Sequence, residues 1–415
     1  MGATTVAGPM RILMLADSYA PIVGGVERIV QDLSTELARR GHEVAVATLR
    51  QPDCEPAVVD GVDVHPLRSS AYRVPAIGSD RERHHAPPAP DPETVFDLRR
   101  VVRRMRPDVV HAHNWLIHSY LPLDRRTGAA LVLSMHDYGL ICATKRFLNR
   151  GEVCTGPGPA KCVRCAADYY GSAKGAPIAA LTRLSERRVR RHVDVFLPVS
   201  ATVGELCRVD GSGVSVVPNF LGELPSPEPE DEQLLTDLPD QPFILYFGDV
   251  TLDKGAHLLV SVYRKLDSPP PLVLIGRNYL DLEGIPGVTA LGKLPHRAAI
   301  EALRRSLFTV APSILPETFG LMALESAAVG KPIVASAIGG LQDVVVDDET
   351  GLLVPPGDPD ALAGALRRLI DDEELRRRLG AQGEQRAERF SPDAVVPRFE
   401  EAYRDAVAAR KSRRD

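Results

Sequence analysis

The sequence predicts an α/β protein built of two similar domains, each a parallel sheet covered by helices. Three observations lead there. From Arg11 onward short apolar runs alternate with amphipathic stretches, the order that builds parallel sheets. At 415 residues the chain exceeds the size at which a single hydrophobic core keeps growing. The opening pattern of strand, Gly-containing loop and helix restarts after a Pro- and acid-rich stretch, which predicts domains at 1–220 and 242–395 joined by a linker at 221–241.

In the first half, RILMLA (11–16) reads as a strand followed by the loop DSYAPIVGG. The segment 26–40 carries apolar residues at Val26, Ile29, Val30, Leu33 and Leu37, a helical spacing that Gly41 terminates. EVAVATL (43–49) is the second strand, and further strands are predicted at 108–113, 131–136, 194–200 and 214–219. The stretch 76–92, with Pro87, Pro88, Pro90 and Pro92, reads as a loop whose length suggests mobility or function. In the second half, FILYFGD (243–249), the loop VTLDKG and a helix over 256–266 repeat the opening, and strands follow at 272–276, 288–292, 307–313, 332–336 and 351–354. Residues 396–415 read as a C-terminal helix and basic tail.

The composition, 44% hydrophobic and 25% charged, is that of an ordinary globular protein. A net charge of −5 argues against a general nucleic-acid binder, whose footprint is basic. No apolar run approaches the roughly 20 residues that span a bilayer, and MGATTVAGPM lacks the regions of a signal peptide, so a cytoplasmic protein is expected.

Candidate sites lie in the loops after strands. Gly24-Gly25 sits at the start of the first helix, where unpaired amides favour an anion and glycine lets a phosphate approach; by itself the pair is more often just a turn. The spacing is not that of a dinucleotide-binding fingerprint. Gly248 and Lys254-Gly255 repeat the arrangement, and Lys254 can supply a point charge to a phosphate. In PETFGLMALE, Glu317 precedes a helix that carries Glu325, eight residues on and slightly over two turns away, so both acids can border one pocket. Helix amides at Gly320, Leu321 and Met322 would meet a phosphate while the acids accept hydrogen bonds from sugar hydroxyls. That combination fits a nucleotide sugar.

The segment APSILPETFGLMALESAAVGKPIVASAIGGLQDVVVDDETGLLVPPGD resembles the donor-site segment of glycosyltransferase family 4, with its Glu-x7-Glu motif and the Gly-Gly and Thr-Gly-Leu-Leu-Val elements that follow. The likeness extends to RILMLADSYAPIVGGVERIVQDLSTELARRGHEV, PDVVHAHN, HDYG, VSVVPN and GDVTLDKG, and so covers about Arg11 to Asp358. The resemblance implies a GT-B fold: two Rossmann-like domains facing across a cleft, acceptor on the N-terminal one, donor nucleotide on the C-terminal one, closing over both substrates. It implies transfer with retention of anomeric configuration and no cofactor for catalysis. Carried over by position, Glu317 would bind donor-sugar hydroxyls and Glu325 the ribose hydroxyls. Phe319, Gly320, Leu321 and Met322 would line the diphosphate, Lys254 would neutralise it, and Gly25 would contact it from the other domain. His136, ending the strand LVLSMH, matches the family histidine near the transferred sugar, though a strand-end histidine also reads as a structural side chain. His111 and His113 read as packing or acceptor-side residues. His136, Glu317 and Lys254 are thus the expected catalytic set. Charge builds on the departing diphosphate, so fixed cationic and N–H donors there lower the barrier most. The family resembles a front-face attack in which the leaving phosphate takes the acceptor proton, so Glu317 need not be a nucleophile, unlike the carboxylate of a retaining hydrolase.

Two features depart from the family pattern. Gly248-Asp249 stands where Gly-Arg is common, which removes an expected phosphate-binding arginine; Arg277 in LIGRNY is a candidate replacement, and Asp249 would have to point away or pair with Lys254. An insertion at about 140–170 carries Cys142, Cys154, Cys162 and Cys165, the last two as a C-x-x-C. Four thiolates would satisfy a structural zinc, or less readily an iron–sulfur cluster; free or disulfide-linked cysteines are the alternatives. The basic segment 181–194, with Arg183, Arg187, Arg188, Arg190 and Arg191, is a solvated face or a peripheral contact with the inner face of an anionic membrane.

The expectation is an EC 2.4 glycosyltransferase moving a sugar to a hydroxyl of a small-molecule, lipid-linked or glycan acceptor. UDP-sugar is the first choice of donor and GDP-mannose the second. A nucleotide-sugar epimerase or hydrolase is the alternative within the fold. A non-catalytic sugar-nucleotide-binding protein is the alternative outside enzymes, with Asp249 in its favour.

Overall fold

The computed structural model describes residues 8–20, 24–51, 58–59, 61–73, 84–280, 282 and 284–413; Cys54 and most of the Pro-rich loop ahead of His84 lie outside them. The chain divides into two compact units. One comprises Met1–Arg146, Thr155–Val217 and Val395–Asp415, the other Phe147–Cys154 and Pro218–Ala394.

The first unit holds a seven-stranded sheet of β1 (Arg11–Ala16), β2 (Glu43–Leu49), β3 (Val58–Val59), β4 (Val62–Leu67), β5 (Val109–Ala112), β6 (Ala130–Met135) and β7 (Val195–Pro198). Their spatial order is β3-β4-β2-β1-β5-β6-β7, parallel throughout except for the β3–β4 pair. Strands covered on both faces read as continuous apolar runs, and every residue of β5 and β6 is buried. Helix α1 (Gly25–Arg39) turns Ile29, Val30, Leu33 and Leu37 inward, as its 3.6-residue period requires. Helix α2 (Pro92–Met105) starts at Asp91, whose carboxylate accepts the Thr94 amide. The segment 214–219 is not a strand. Ser215 and Val217 donate to Phe196 and Pro198 of β7 along one edge, and Pro218 has no N–H with which to extend the pairing.

The Cys-containing insertion includes a helix, α3 (Pro159–Tyr170), and the basic segment that follows it lies on a second, α4 (Ser172–His192). They pack closely because Gly175 lacks a Cβ, which would lie 2.3 Å from the Ala166 backbone. The C-terminal helix, Pro392–Ser412, returns to the first unit from Val395 on. Tyr403 lies 2.8 Å from His111, and Arg410 holds Asp124 at 2.8 Å and Asp194 at 2.7 Å.

The second unit has a six-stranded, all-parallel sheet of β8 (Ile244–Phe247), β9 (Leu272–Ile275), β10 (Val288–Gly292), β11 (Phe308–Ala311), β12 (Ile333–Ser336) and β13 (Leu352–Val354). The order is β10-β9-β8-β11-β12-β13, with α5 (Ala256–Tyr263) after β8 and α6 (Leu321–Ala328) after β11. The stretch expected to be a linker belongs to this unit. Its Leu235 joins the apolar cluster of Phe243 and Leu245, and buried Asp231 accepts from Arg297 at 2.7 Å. Among the described residues no helix is long and apolar enough to cross a membrane.

Candidate active site

Strand order in the second unit reverses between β8 and β11, so the loops leaving their carboxyl ends diverge around a crevice, the place where open α/β sheets take ligands. Glycine brings those two loops together. Gly255 has φ +74°, and a Cβ there would lie 1.9 Å from the Pro312 oxygen. Lys254, one residue earlier, consequently reaches the β11 loop, where its Nζ donates to both carboxylate oxygens of Glu317 at 2.6 and 2.7 Å. Ser313 donates a third hydrogen bond, at 2.5 Å. The pair is accessible, with 36% of the Lys254 side chain and 14% of Glu317 exposed, so a ligand can exchange partners with it.

A second glycine device fixes the other side of the loop. The Gly340 amide donates to the Glu317 oxygen at 2.7 Å, and a Cβ on Gly339 would sit 2.2 Å from that same oxygen. Gly320, left-handed at φ +96°, turns the chain into α6. The first intrahelical bonds there belong to Ala323 and Leu324, both to the Gly320 oxygen, which leaves the amides of Gly320, Leu321 and Met322 open at the positive end of the helix. The Phe319 ring is buried edge-on to Phe390, so this residue can line an anion only through its backbone. Glu325 is 1% exposed, and its Oε1 lies 2.8 Å from His296 Nε2.

Gly248 and Gly276 end the adjacent strands β8 and β9, and the Val250 amide donates to the Arg277 oxygen at 2.8 Å, which sets Arg277 beside the Asp249 loop. Asp249 itself is exposed, and Lys254 is paired with Glu317 rather than with it.

In the first unit, Gly24 precedes α1 in extended conformation without a side-chain cap, and the first helical bond runs from the Arg28 amide to its oxygen, leaving the Gly25 amide among the open ones. At the carboxyl ends of β5 and β6 the rings of His113 and His136 meet, Nδ1 to Nε2, at 3.0 Å. His111 is bonded on both nitrogens, 2.8 Å to Tyr403 and 2.8 Å to Ser134. Burial, then neighbouring histidines, push His111 and His113 well below the ordinary imidazole range, so both are neutral rings that each carry one N–H. A cavity of about 30 Å³, enough for one water, lies against His113, Trp115, His118 and His136.

Cys142, Cys154, Cys162 and Cys165 form no disulfide. Cys162 and Cys165 lie on α3, and the Cys162 sulfur takes the Gly158 amide at 3.3 Å, so the C-x-x-C forms part of a helix rather than a metal-binding knuckle. Among the described residues no three His, Cys, Asp or Glu side chains are grouped to hold a metal ion.

Sequence reasoning missed His296 and Ser313. It named the Gly339-Gly340 pair only as part of a motif, and it gave no partner for His136.

Two Rossmann-like units, one with a lysine–carboxylate pair and an open helix terminus at its switch point, define the GT-B class. The family described as glycosyl transferases group 1 matches residues 229–386, and that described as glycosyl transferase 4-like domain matches 24–219. The chain is 30% identical to a D-inositol 3-phosphate glycosyltransferase of Xylanimonas cellulosilytica over 98% of its length and 99% of the relative's. Among solved structures, sucrose-phosphate synthase from Thermosynechococcus elongatus superposes with a TM-score of 0.70 at 23% identity, covering 96% of this chain and 99% of that one. Anabaena HepE in complex with UDP-glucose gives 0.66 at 17% identity, covering 94% and 98%. The chain belongs to the family 4 type of glycosyltransferase and is an enzyme of the EC 2.4 class.

Proposed function

We propose that the protein transfers a sugar from a nucleotide-sugar donor to a hydroxyl acceptor with retention of configuration. The observation that carries this reading is the accessible Lys254–Glu317 pair beside the open amides of Gly320, Leu321 and Met322. A diphosphate arriving at that helix terminus competes for Lys254, which releases Glu317 to accept hydrogen bonds from sugar hydroxyls. Glu325, whose Oε1 lies 2.8 Å from His296 Nε2, takes the ribose hydroxyls. Arg277 supplies the charge that Asp249 does not. His136, oriented by His113, serves the reacting sugar, and the first unit takes the acceptor.

In the step itself the bond from the anomeric carbon to the departing phosphate oxygen breaks, and the acceptor oxygen bonds to that carbon on the same face. The acceptor proton passes to the phosphate oxygen. Lys254 and the helix amides stabilise the charge that develops there. Glu317, with both oxygens engaged by Lys254 and one by Ser313, is a poor nucleophile.

A UDP-sugar is the first choice of donor, as in the HepE complex, and GDP-mannose the second. The place of action is cytoplasmic. Exposed Leu184 among Arg183, Arg187 and Arg188 on α4 provides a peripheral contact with an anionic membrane.

Thermal stability against UDP-, GDP-, ADP- and TDP-sugars, run beside Glu325→Ala, tests the donor site, because a ligand of the native state raises the midpoint by mass action. A shift with one nucleotide family, reduced in the variant, names the base. An α-linked product from an α-linked donor supports retention and an inverted product refutes it. Donor turnover that needs no acceptor assigns an epimerase or hydrolase instead.

A further inference from the structure

The first unit carries a cavity of about 820 Å³ that the reaction above does not use. It lies at the amino-terminal edge of the sheet, against Arg11 at the start of β1, Asp108 ahead of β5, Ala130 at the start of β6, and the last turns of α2 and the C-terminal helix. Because β1, β5 and β6 run parallel, His113 and His136 sit at the opposite edge, a strand length of roughly 13–20 Å away.

Seven of its fifteen lining residues are cationic and one is acidic, in a chain whose net charge is −5. Arg11 is committed to Asp108 at 3.0 Å, and Arg410 to Asp124 and Asp194. The other five, Arg99, Arg103, Arg106, Arg126 and Lys411, are exposed and have no ion pair or side-chain hydrogen bond among the described residues. Cations at helix C-termini are ordinary, which accounts for Arg103 and Lys411. It does not account for Arg99, two turns before the end of α2, and Arg126, in the last turn of the short helix Asp124–Thr127, brings a further cation from a third element. Arg106 ends α2 at φ +49°, the left-handed position where glycine costs least, so a large basic side chain stands where the backbone favours none.

We propose that this cavity is a second anion site, separate from the donor site, for a phosphate-bearing group. Guanidinium forks from α2 and from Arg126 match phosphate oxygens two at a time, and a bound phosphate relieves the repulsion among cations that no protein carboxylate offsets. The phosphate belongs either to a lipid headgroup or to a soluble phosphate ester. The two sources share this chemistry.

The probe is inorganic tripolyphosphate, measured by titration calorimetry on wild type, on Arg103→Ser/Arg126→Ser and on Lys254→Ser, each checked for a wild-type melting curve. The double variant removes two exposed charges and no buried contact. The site predicts binding at least about tenfold weaker in the double variant and retained in Lys254→Ser. A second arm sediments the same proteins with vesicles of phosphatidylcholine containing about one-third phosphatidic acid. Sedimentation of wild type but not of the double variant supports the site with a headgroup as its ligand; tripolyphosphate binding without sedimentation supports it with a soluble one. Binding that is lost in Lys254→Ser and kept in Arg103→Ser/Arg126→Ser, or no difference between wild type and the double variant in either arm, overturns the proposal.

Discussion

Acidification destabilises the first unit through three histidines that the fold keeps neutral. His111, His113 and His118 are 0%, 3% and 5% exposed. Burial holds the first two well below the ordinary imidazole pKa of 6.5 and, despite the nearby Asp17 carboxylate, lowers His118 to about 4. The unfolded chain takes up protons at 6.5 and the native state does not, so stability is full above that value and falls as pH drops toward the folded value. Between about pH 7.5 and pH 5 each such histidine costs about 2 kcal/mol, and the three together about 6 kcal/mol as an upper bound. Most carboxylates stay ionised throughout that window, which isolates the imidazole contribution. Trp115, the only tryptophan, lies in the same unit against the His118 cavity, so its fluorescence reports this unfolding. Urea midpoints followed by Trp115 should fall steeply from pH 7 to pH 5, and His118→Leu should remove about a third of the slope whatever it does to stability at pH 7.5. A flat profile in wild type, or an unchanged slope in the variant, would refute the account of neutral buried rings.

Two further outcomes follow from single contacts. Gly339→Ala places a Cβ against the Glu317 oxygen at a positive φ of +60°, and should cut kcat/KM at least about tenfold and abolish the donor-induced rise in Tm while circular dichroism stays unchanged. Arg410→Ala removes the cation shared by Asp124 and Asp194, 1% and 3% exposed, and leaves them His192 at 2.8 Å and Arg413 at 3.1 Å; it should cost about 3 kcal/mol in the Trp115 transition, with Arg410→Lys between it and wild type.

The fold was legible because both sheets, the β3–β4 pair apart, are parallel and covered on both faces, which writes strands as unbroken apolar runs such as VFLP and ILYF between helices of a different period. What failed were places where local composition and tertiary context disagree. VSVVPN has the β-branched content of a strand but only one edge to pair with. The sequence PAKCVRC sits behind glycines and a proline that suggest a loop; Pro159, however, occupies the first helical position, where its missing N–H costs nothing, so the same residues start a helix. The C-terminal helix was legible as a helix with a basic tail beyond the second domain, without a partner. Its attachment to the first unit depends on Tyr403 and Arg410 meeting His111 and Asp124, partners nearly 300 residues away that no local pattern reveals.

The candidate site divides along the same line. Glu317 and Glu325 share one loop and helix, and Lys254 follows a strand that repeats an earlier pattern, so spacing and resemblance were enough to name them. Their partners are set by topology. Ser313 reaches Glu317 because the β11 loop folds back on itself, and His296 reaches Glu325 across 29 residues of intervening chain. Those partners change what the acids can do. A free glutamate beside a reacting sugar is a candidate nucleophile, whereas one that accepts from a lysine and a serine is, on the reading proposed above, a hydrogen-bond acceptor held in reserve until an anion draws the lysine away. The pair is neutral overall and accessible, so it costs little to hold in the empty site and little to break. A diphosphate also brings the helix amides their missing acceptor, which Glu317 does not provide, and that difference favours exchange toward the donor.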